Sequence, residues 1–222
     1  MKAGRIVLIV LGSLFILVSL ALIAGGAVVL AFDASYKDAQ GFYTTRFIPV
    51  QSTTPAVVSQ PADIHAGPWL FNENRNAFTV KIEASSDTPG KPIFIGVARE
   101  SDLTRYLDGV GYDEVTGFTV NSDVIHFVQH SGSNTAAQPA SQNFWAASAS
   151  GTGTQTVQWA VSGGRYSVVL MNADGSAPID AQVAVGLKIP AILHGIGLGL
   201  LIGGIILLVG GGVMLFFGIK GW

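Results

Sequence analysis

Cysteine is absent from the 222 residues, and charged side chains make up only 12% of them. The chain therefore has no disulfide, no thiolate metal ligand and no cysteine nucleophile. The charges are also unevenly spread, because residues 6–32 and 189–219 contain no Asp, Glu, Lys or Arg. A bilayer core about 30 Å thick requires about 20 apolar residues in a helix. Both stretches are therefore predicted to span a membrane.

Each stretch has one alternative interpretation. The first follows Lys2 and Arg5, as a cleaved signal peptide would, but the apolar part of a signal peptide is about 7 to 15 residues long. We therefore interpret residues 6–32 as a retained anchor. The second stretch could be a buried helix of a soluble core, and the length of residues 189–219 disfavours this.

The short flanks predict the orientation. Lys2 and Arg5 precede the first stretch and Lys220 follows the second, so the positive-inside rule places both termini in the cytoplasm. Residues between the helices include nine basic and fourteen acidic side chains, a balance that gives no reason to expect a nucleic-acid partner. The predicted organisation is a cytoplasmic N-terminus (1–5), a transmembrane helix (6–32), an extracytoplasmic domain (33–188), a transmembrane helix (189–219) and a cytoplasmic C-terminus (220–222).

The middle of the chain has the pattern of short strands. Apolar and polar side chains alternate over residues 78–83, which predicts a half-buried strand, and residues 87–90 (DTPG) predict a turn after it. One short helix is predicted with Ser101 as its N-cap and Gly109 at its end. Repeated strands and turns predict a mainly β chain, with an antiparallel β-sandwich or jelly-roll-like domain between the two helices.

Small residues suggest where the membrane helices pack. Glycines recur at intervals of four or eight in the second helix, and small residues lie on a comparable face of the first. Such stripes allow close helix approach in lipid, although glycine is also simply common in membrane helices. The predicted packing residues are Gly195, Gly199, Gly203, Gly211, Ser13, Ala21 and Gly25. They predict packing of the two helices on each other, together with self-association or docking onto other membrane subunits in the bilayer.

Three further residues are candidates for contact with a partner: Trp69, Trp145 and His194. The tryptophans could also line a groove for a sugar or peptide, and His194 could instead meet lipid headgroups. His126 and His130 share a face of a predicted strand, but four residues place them roughly 13 Å apart, too far for one ion.

The sequence contains no recognisable catalytic motif, cofactor motif or metal site. Gly-x-Ser-x-Gly, a phosphate-binding loop and His-Glu-x-x-His are all missing. Acidic residues cluster around the short helix, at Asp102, Asp108, Asp113 and Glu114. They could serve acid–base chemistry or bind calcium, but a solvated acidic surface explains them more simply. We therefore expect no enzyme activity and no cofactor.

Four segments of the chain resemble a group of uncharacterised bacterial two-pass membrane proteins: residues 91–97 (KPIFIGV), 106–110 (YLDGV), 144–148 (FWAAS) and 169–175 (VLMNADG). The resemblance implies the same order of anchor, β-domain and anchor, but no activity. The first hypothesis is a non-enzymatic cell-envelope protein, an accessory or scaffolding subunit of a larger membrane assembly. The alternative is an extracytoplasmic sensor module that binds a small ligand or glycan.

Overall fold

The computed structural model of the chain describes residues 3–64, 78–119, 124–189 and 192–220. The chain divides into two compact units. The helical unit comprises Met1–Lys37 and Pro190–Trp222, and the β-rich unit comprises Asp38–Ile189.

The helical unit consists of α1 (Ala3–Tyr36) and α3 (Ile192–Lys220). Both are long and apolar enough to cross a membrane, and only 11% of the most apolar window of each is buried within the chain. Leu17 of α1 and Ile206 of α3, for example, are each 66% exposed. A core helix of a soluble protein would bury such side chains, so the two exposed apolar helices support the predicted pair of membrane spans.

The β-rich unit contains twelve strands, one helical segment, α2 (Glu100–Tyr106), and a single 3-10 turn (Pro139–Ser141) within the described residues. The strands are β1 (Tyr43–Thr44), β2 (Ile48–Ser52), β3 (Ala56–Ser59), β4 (Ala62–Ile64), β5 (Thr79–Ser86), β6 (Ile93–Arg99), β7 (Tyr112–Thr119), β8 (Val124–His130), β9 (Ala147–Gly151), β10 (Gln155–Ala160), β11 (Gly164–Asn172) and β12 (Ile179–Lys188). Strand accounts for only 39% of the structure. The prediction of a mainly β fold therefore holds for this unit but not for the whole chain, because the two long helices contribute so much helix.

The strands form two sheets. The first has the order β1-β12-β5-β10, with β2 also pairing β12, and the second has the order β8-β7-β3-β11-β6-β9, with β4 also pairing β11. Most pairs are antiparallel, as predicted, but β3 and β7 run parallel, with Val57 opposite Asp113. The second sheet is therefore mixed. The parallel pair joins strands far apart in the sequence, which the alternation within each strand does not reveal.

Two apolar clusters hold the unit together. The first lies between the sheets and includes Ile82 of one sheet and Ile95 and Leu170 of the other. The second lies on the outer face of the second sheet, where α2 covers Val169 and Met171. Since both faces of β6 and β11 are covered, these strands are nearly continuous apolar runs rather than alternating ones.

The predicted local elements occur with small shifts. Residues 78–83 lie mostly in β5, and the turn after it is closed by the Lys91 amide, which donates to the Thr88 carbonyl at 3.2 Å. Gly90 has φ +75, the left-handed conformation that glycine adopts without strain. The short helix starts two residues earlier than predicted, because Arg99 rather than Ser101 is the N-cap.

Candidate functional site

The two sheets of the β-rich unit diverge along one side. Val183 and Val185 of β12 line the space between them, and Val185 is 45% exposed. Ile125 of β8 lines the same space from the other sheet and is only partly buried. Apolar side chains that face each other across two sheets normally fill the space between the sheets. Here a space remains between them, and we call this open apolar space the inter-sheet cleft.

The inter-sheet cleft consists of two adjoining cavities of about 360 Å³ and 420 Å³. Three residues line both cavities: Ser59, Val80 and Val168. Trp159 and Tyr166 line the larger cavity, with ring centroids 4.7 Å apart. The shared lining residues make the two cavities neighbours, so a chain-like ligand could occupy both.

A break in the second sheet accounts for the cleft. β3 ends at Ser59 and β4 begins at Ala62, and both strands pair the same edge of β11. β7 follows β3 only as far as Val115, opposite Ser59, and its pairing with β8 is irregular between Val115 and Gly117. Such a bulge bends a strand. The pairing of β3 with β7 therefore ends at Ser59, which lines both cavities, while β11 continues alongside β4.

The side chains that line the inter-sheet cleft are suited to binding an apolar group. Its lining is aliphatic and aromatic apart from serines, and the Ser59 hydroxyl is engaged by the backbone: it accepts from the Val168 amide at 2.9 Å and donates to the Gln60 carbonyl at 3.2 Å. None of the described lining residues is an acid, a basic residue or a histidine. An apolar group placed here would be held by burial of its surface.

A second pocket, called here the α2 pocket, lies on the outer side of the second sheet. It has a volume of about 350 Å³ and an apolar floor that includes Leu103 and Leu107 of α2 and Val58 of β3. Its polar lining comes from α2, the following turn and strands β7, β8 and β11. The acidic lining residues are Glu100, Asp108 and Glu114.

Strands β7 and β8 form one wall of the α2 pocket. Glu114 Oε2 lies 2.9 Å from His130 Nε2, and the His130 ring stacks on Tyr112 with centroids 4.3 Å apart. Burial, with a smaller contribution from the Glu114 charge, raises the pKa of Tyr112 above its ordinary value. An ordinary phenol is already protonated at neutral pH, so the raised pKa leaves the Tyr112 hydroxyl a hydrogen-bond donor there.

One buried hydroxyl also faces the α2 pocket. Ser167 of β11 is only 3% exposed and lines the pocket, and its hydroxyl makes no hydrogen bond within the described part of the chain. Buried polar side chains are nearly always hydrogen-bonded. Nothing in the sequence pattern around Ser167 distinguishes it from the other serines, so sequence reasoning missed it.

A further buried polar group lies between β2 and β7. Asp113 is 7% exposed, and one carboxylate oxygen accepts from the Ser52 hydroxyl at 2.7 Å, while Oδ1 has no partner among the described residues. The Ser52 hydroxyl is also 2.8 Å from the Thr54 hydroxyl. Asp113, one of the four clustered acidic residues, is thus buried and does not belong to a solvated acidic surface.

The helices α1 and α3 contact each other through a seven-residue repeat of small residues. In α1 the buried positions are Gly12, Ser19, Gly26 and Asp33. In α3 they are Gly197, Gly204, Gly211 and Gly218. A Cβ at Gly26 would lie 2.8 Å from the Gly197 carbonyl oxygen, and one at Gly211 would lie 2.9 Å from that of Gly12. The two backbones therefore touch, which only glycine allows at these positions.

This contact differs from the predicted glycine stripe. Of the predicted packing residues, Gly211 alone lies in it, whereas a Cβ at Gly25, Gly195, Gly199 or Gly203 would meet nothing within 4 Å. Ala21 is exposed, and the Ser13 hydroxyl donates to the carbonyl of Ile9 in its own helix at 2.8 Å. The four-residue spacing turns away from α1, because the contact follows every seventh residue. A role of the stripe toward other chains stays a prediction.

The three residues predicted to contact a partner differ in where the structure places them. Trp145 packs within the domain: its indole nitrogen donates to the Pro139 carbonyl at 2.8 Å, and its ring covers Gly96, where a Cβ would come within 2.6 Å. These contacts give Trp145 a structural role. His194 is 55% exposed, with Nδ1 3.6 Å from Asp33 within the helical unit. Trp69 lies outside the described residues.

The two strand histidines are also far from forming one site. His126 Nε2 lies 3.0 Å from the Thr119 hydroxyl, whereas His130 pairs with Glu114. Within the described residues, no group of three or more acidic, histidine or cysteine side chains is arranged to hold a metal ion.

No family model matches the chain, and no curated protein or solved structure matches it.

Proposed function

We propose that this protein is a non-enzymatic, membrane-anchored binding protein whose extracytoplasmic β-rich domain holds the apolar chain of a lipid-like molecule in the inter-sheet cleft. The observation that carries the proposal is the pair of neighbouring apolar cavities between the sheets. This is the ligand-binding alternative raised by the sequence, with the ligand class now specified as an apolar chain.

The size and lining of the cleft favour binding over a packing defect. Protein interiors are close-packed, with few voids larger than a water molecule, and each of these cavities is within the range of about 300 to 1,000 Å³ typical of small-molecule sites. Val80 and Val168, which line both cavities, are only partly buried. An apolar ligand would remove this surface from water, at about 25 cal/mol for each Å² buried.

The membrane anchors supply a reason for an apolar ligand. Two apolar helices, α1 and α3, flank the β-rich unit in the sequence, and the basic flanking residues Lys2, Arg5 and Lys220 favour cytoplasmic termini. A domain tethered to a bilayer encounters single-chain amphiphiles at high local concentration. We infer that the ligand comes from the membrane or the envelope.

The test uses the fluorescence of Trp159, which lines the larger cavity. The full-length protein in zwitterionic lipid nanodiscs is titrated with a brominated long-chain alcohol, whose bromines quench a tryptophan in contact. We expect saturable quenching in the wild type that is missing in Trp159→Phe. Equal quenching in Trp159→Phe would show that lipid-exposed tryptophans account for the signal, and would overturn the proposal.

Filling the cleft provides a second arm of this test. Val168→Phe adds a ring at the wall between the two cavities and should abolish the saturable phase, while Val168→Ile, a smaller change, should weaken it. The matched control is Val124→Phe, since Val124 is 46% exposed on β8 and does not line the cleft. Loss of binding in the control as well would point to a general effect of added aromatic rings.

A second candidate function is that of an accessory or scaffolding subunit in a membrane assembly. The observation that favours it is the open stripe of Gly195, Gly199 and Gly203, where a Cβ would meet nothing within 4 Å of the chain. Gly199→Leu should then dissociate a complex isolated in mild detergent, as measured by native mass spectrometry, without affecting the α1–α3 contact. A monomeric wild-type particle would contradict this function.

A further inference from the structure

We propose that the α2 pocket binds a positively charged head group, so that the ligand is a single-chain amphiphile with an ammonium group at one end. This inference rests on the proposed function, because it assigns the apolar part of the same molecule to the inter-sheet cleft. It adds a second site, polar and on the other side of the second sheet, that specifies which amphiphile is bound.

The two sites share lining residues at the break in the second sheet. Ser59 lines the α2 pocket and both cavities of the inter-sheet cleft, and Ser167 lines the α2 pocket and the larger cavity. Between β3 and β4 the chain bulges away from the regular ladder at residues 60 and 61, and Pro61 also lines the α2 pocket. A ligand that passes this bulge would have its two ends in environments of opposite polarity.

The charges in the α2 pocket favour a cation. Glu100 forms an ion pair with Arg165, whose Nε lies 2.7 Å from it. Within the described residues, Asp108 forms no ion pair and Glu114 pairs with His130 alone. None of the described lining residues is Lys or Arg. The pocket therefore presents the carboxylates of Asp108 and Glu114 beside one histidine, without a Lys or Arg in its described lining.

Ser167 is an independent indication of a ligand. The residue is only 3% exposed and lines the α2 pocket, and no hydrogen bond of its hydroxyl occurs within the described part of the chain. An ammonium group has three donors and no acceptor. It can donate to the Ser167 hydroxyl and to a pocket carboxylate at the same time, which gives this hydroxyl a partner inside the pocket.

The rest of the lining suits the carbon atoms next to an ammonium group. Leu103, Leu107 and Val58 form an apolar floor, and the stacked rings of Tyr112 and His130 add an aromatic wall. Methylene groups beside the cation would pack on this floor, and a cation near the Tyr112 ring would gain a favourable electrostatic contact. An anionic head group would instead face two carboxylates.

The experiment compares three probes with the same twelve-carbon chain: dodecylammonium, dodecanol and dodecanoate. Each is titrated calorimetrically into the full-length protein in zwitterionic nanodiscs, and the heat from empty nanodiscs is subtracted. We expect dodecylammonium to bind about tenfold more tightly than dodecanol, the equivalent of about 1.4 kcal/mol, and dodecanoate to bind most weakly.

Three variants locate the preference. Glu114→Gln, which keeps a hydrogen-bonding oxygen beside His130, and Ser167→Ala should each lower the ratio of dodecylammonium affinity to dodecanol affinity severalfold. The ratio is the readout because Ser167 also lines the larger cavity of the inter-sheet cleft. The matched control is Asp102→Asn, which makes the same change in net charge on α2, since Asp102 does not line the pocket. Circular dichroism confirms that each variant is folded.

The outcomes separate the two proposals. If dodecanol binds but dodecylammonium gains no advantage, or if Glu114→Gln behaves as Asp102→Asn does, the head-group site is overturned and the apolar cleft stands. If none of the three probes binds, the proposed function itself is wrong, and the head-group site falls with it.

Discussion

The helix pair and the β-rich unit place large and small side chains in opposite positions. In the helices the buried residues are small, such as Gly12, Ser19 and Gly204, and the large apolar side chains, such as Ile206, point outward. In the β-rich unit Ile95 and Phe94 are fully buried. The inversion shows that the two units are built for different solvents: lipid does not drive apolar side chains inward, so close backbone contact remains as the main source of helix association.

The largest effect expected from this contrast comes from one substitution made in both units. Ile95→Ala removes a side chain that is 0% exposed and should reduce the free energy of unfolding by about 2–5 kcal/mol. Ile206→Ala removes the same atoms from a residue that is 66% exposed on α3 and should change stability by about 0.5 kcal/mol or less. Denaturant unfolding of the full chain in nanodiscs, followed by tryptophan fluorescence and circular dichroism, measures both. Equal losses in the two variants would refute the contrast.

A second prediction adds volume instead of removing it. Gly211→Leu places a side chain where a Cβ alone would lie 2.9 Å from the Gly12 carbonyl oxygen, so the helices must separate, at an expected cost of about 1–3 kcal/mol. Gly203→Leu is the matched control, because a Cβ there would meet nothing within 4 Å.

The absence of native cysteine makes this second prediction straightforward to measure. Spin labels on cysteines introduced at Leu14 and Val213, both exposed, report the distance between the helices. Gly211→Leu should lengthen and broaden the distance distribution, and Gly203→Leu should leave it unchanged. An unchanged distribution in Gly211→Leu would show that the small-residue contact is not what holds the helices together.

The sequence predicted the two membrane helices and a β-rich domain because these features follow from local patterns. The uncharged runs are visible without any tertiary information, and so is the alternation in residues 78–83. The seven-residue repeat from Gly197 to Gly218 is equally visible in the sequence, beside the four-residue stripe from which the packing was predicted. The repeat is the more informative signal, since small residues at the same spacing also occur in α1 from Gly12 to Asp33.

The candidate site, by contrast, depends on the way the strands pair. Glu114 and His130 are sixteen residues apart and meet because Tyr112 pairs with His130 across β7 and β8. The parallel pairing of β3 and β7 leaves no local trace, and the inter-sheet cleft arises where that pairing stops at Ser59. The alternation of side chains along a strand shows which of its faces is buried, but not which strands lie beside it. Neither the inter-sheet cleft nor the α2 pocket was therefore predictable from the sequence.

The smallest expected effect concerns a charge buried in the β-rich unit, where a membrane-facing helix would carry none. Lys81 of β5 is 5% exposed, and its Nζ lies 2.7 Å from Asp38, 3.3 Å from Glu83 and 5.3 Å from the centre of the Phe42 ring. Burial alone would lower the pKa of Lys81, but the hydrogen bonds to Asp38 and Glu83 outweigh it and raise the pKa. The Lys81 hydrogen bond, together with the Phe42 amide, holds the pKa of Asp38 well below its usual range.

A depressed carboxyl pKa fixes the sign of the pH dependence. The stabilisation from Asp38 is present above the pKa of an unfolded aspartate, about 4, and is lost as the pH falls below that toward the lower value in the folded protein. Part of the fall in the thermal midpoint of the β-rich unit between pH 4 and pH 2 should therefore disappear in Asp38→Asn, which should already be less stable at pH 7. Lys81→Met, which removes the cation, should reduce the same part of the acid dependence. If Asp38→Asn retains the full acid-induced fall of the wild type, the Asp38–Lys81 contact does not contribute to folding stability, and the buried charge must be held by Glu83 alone.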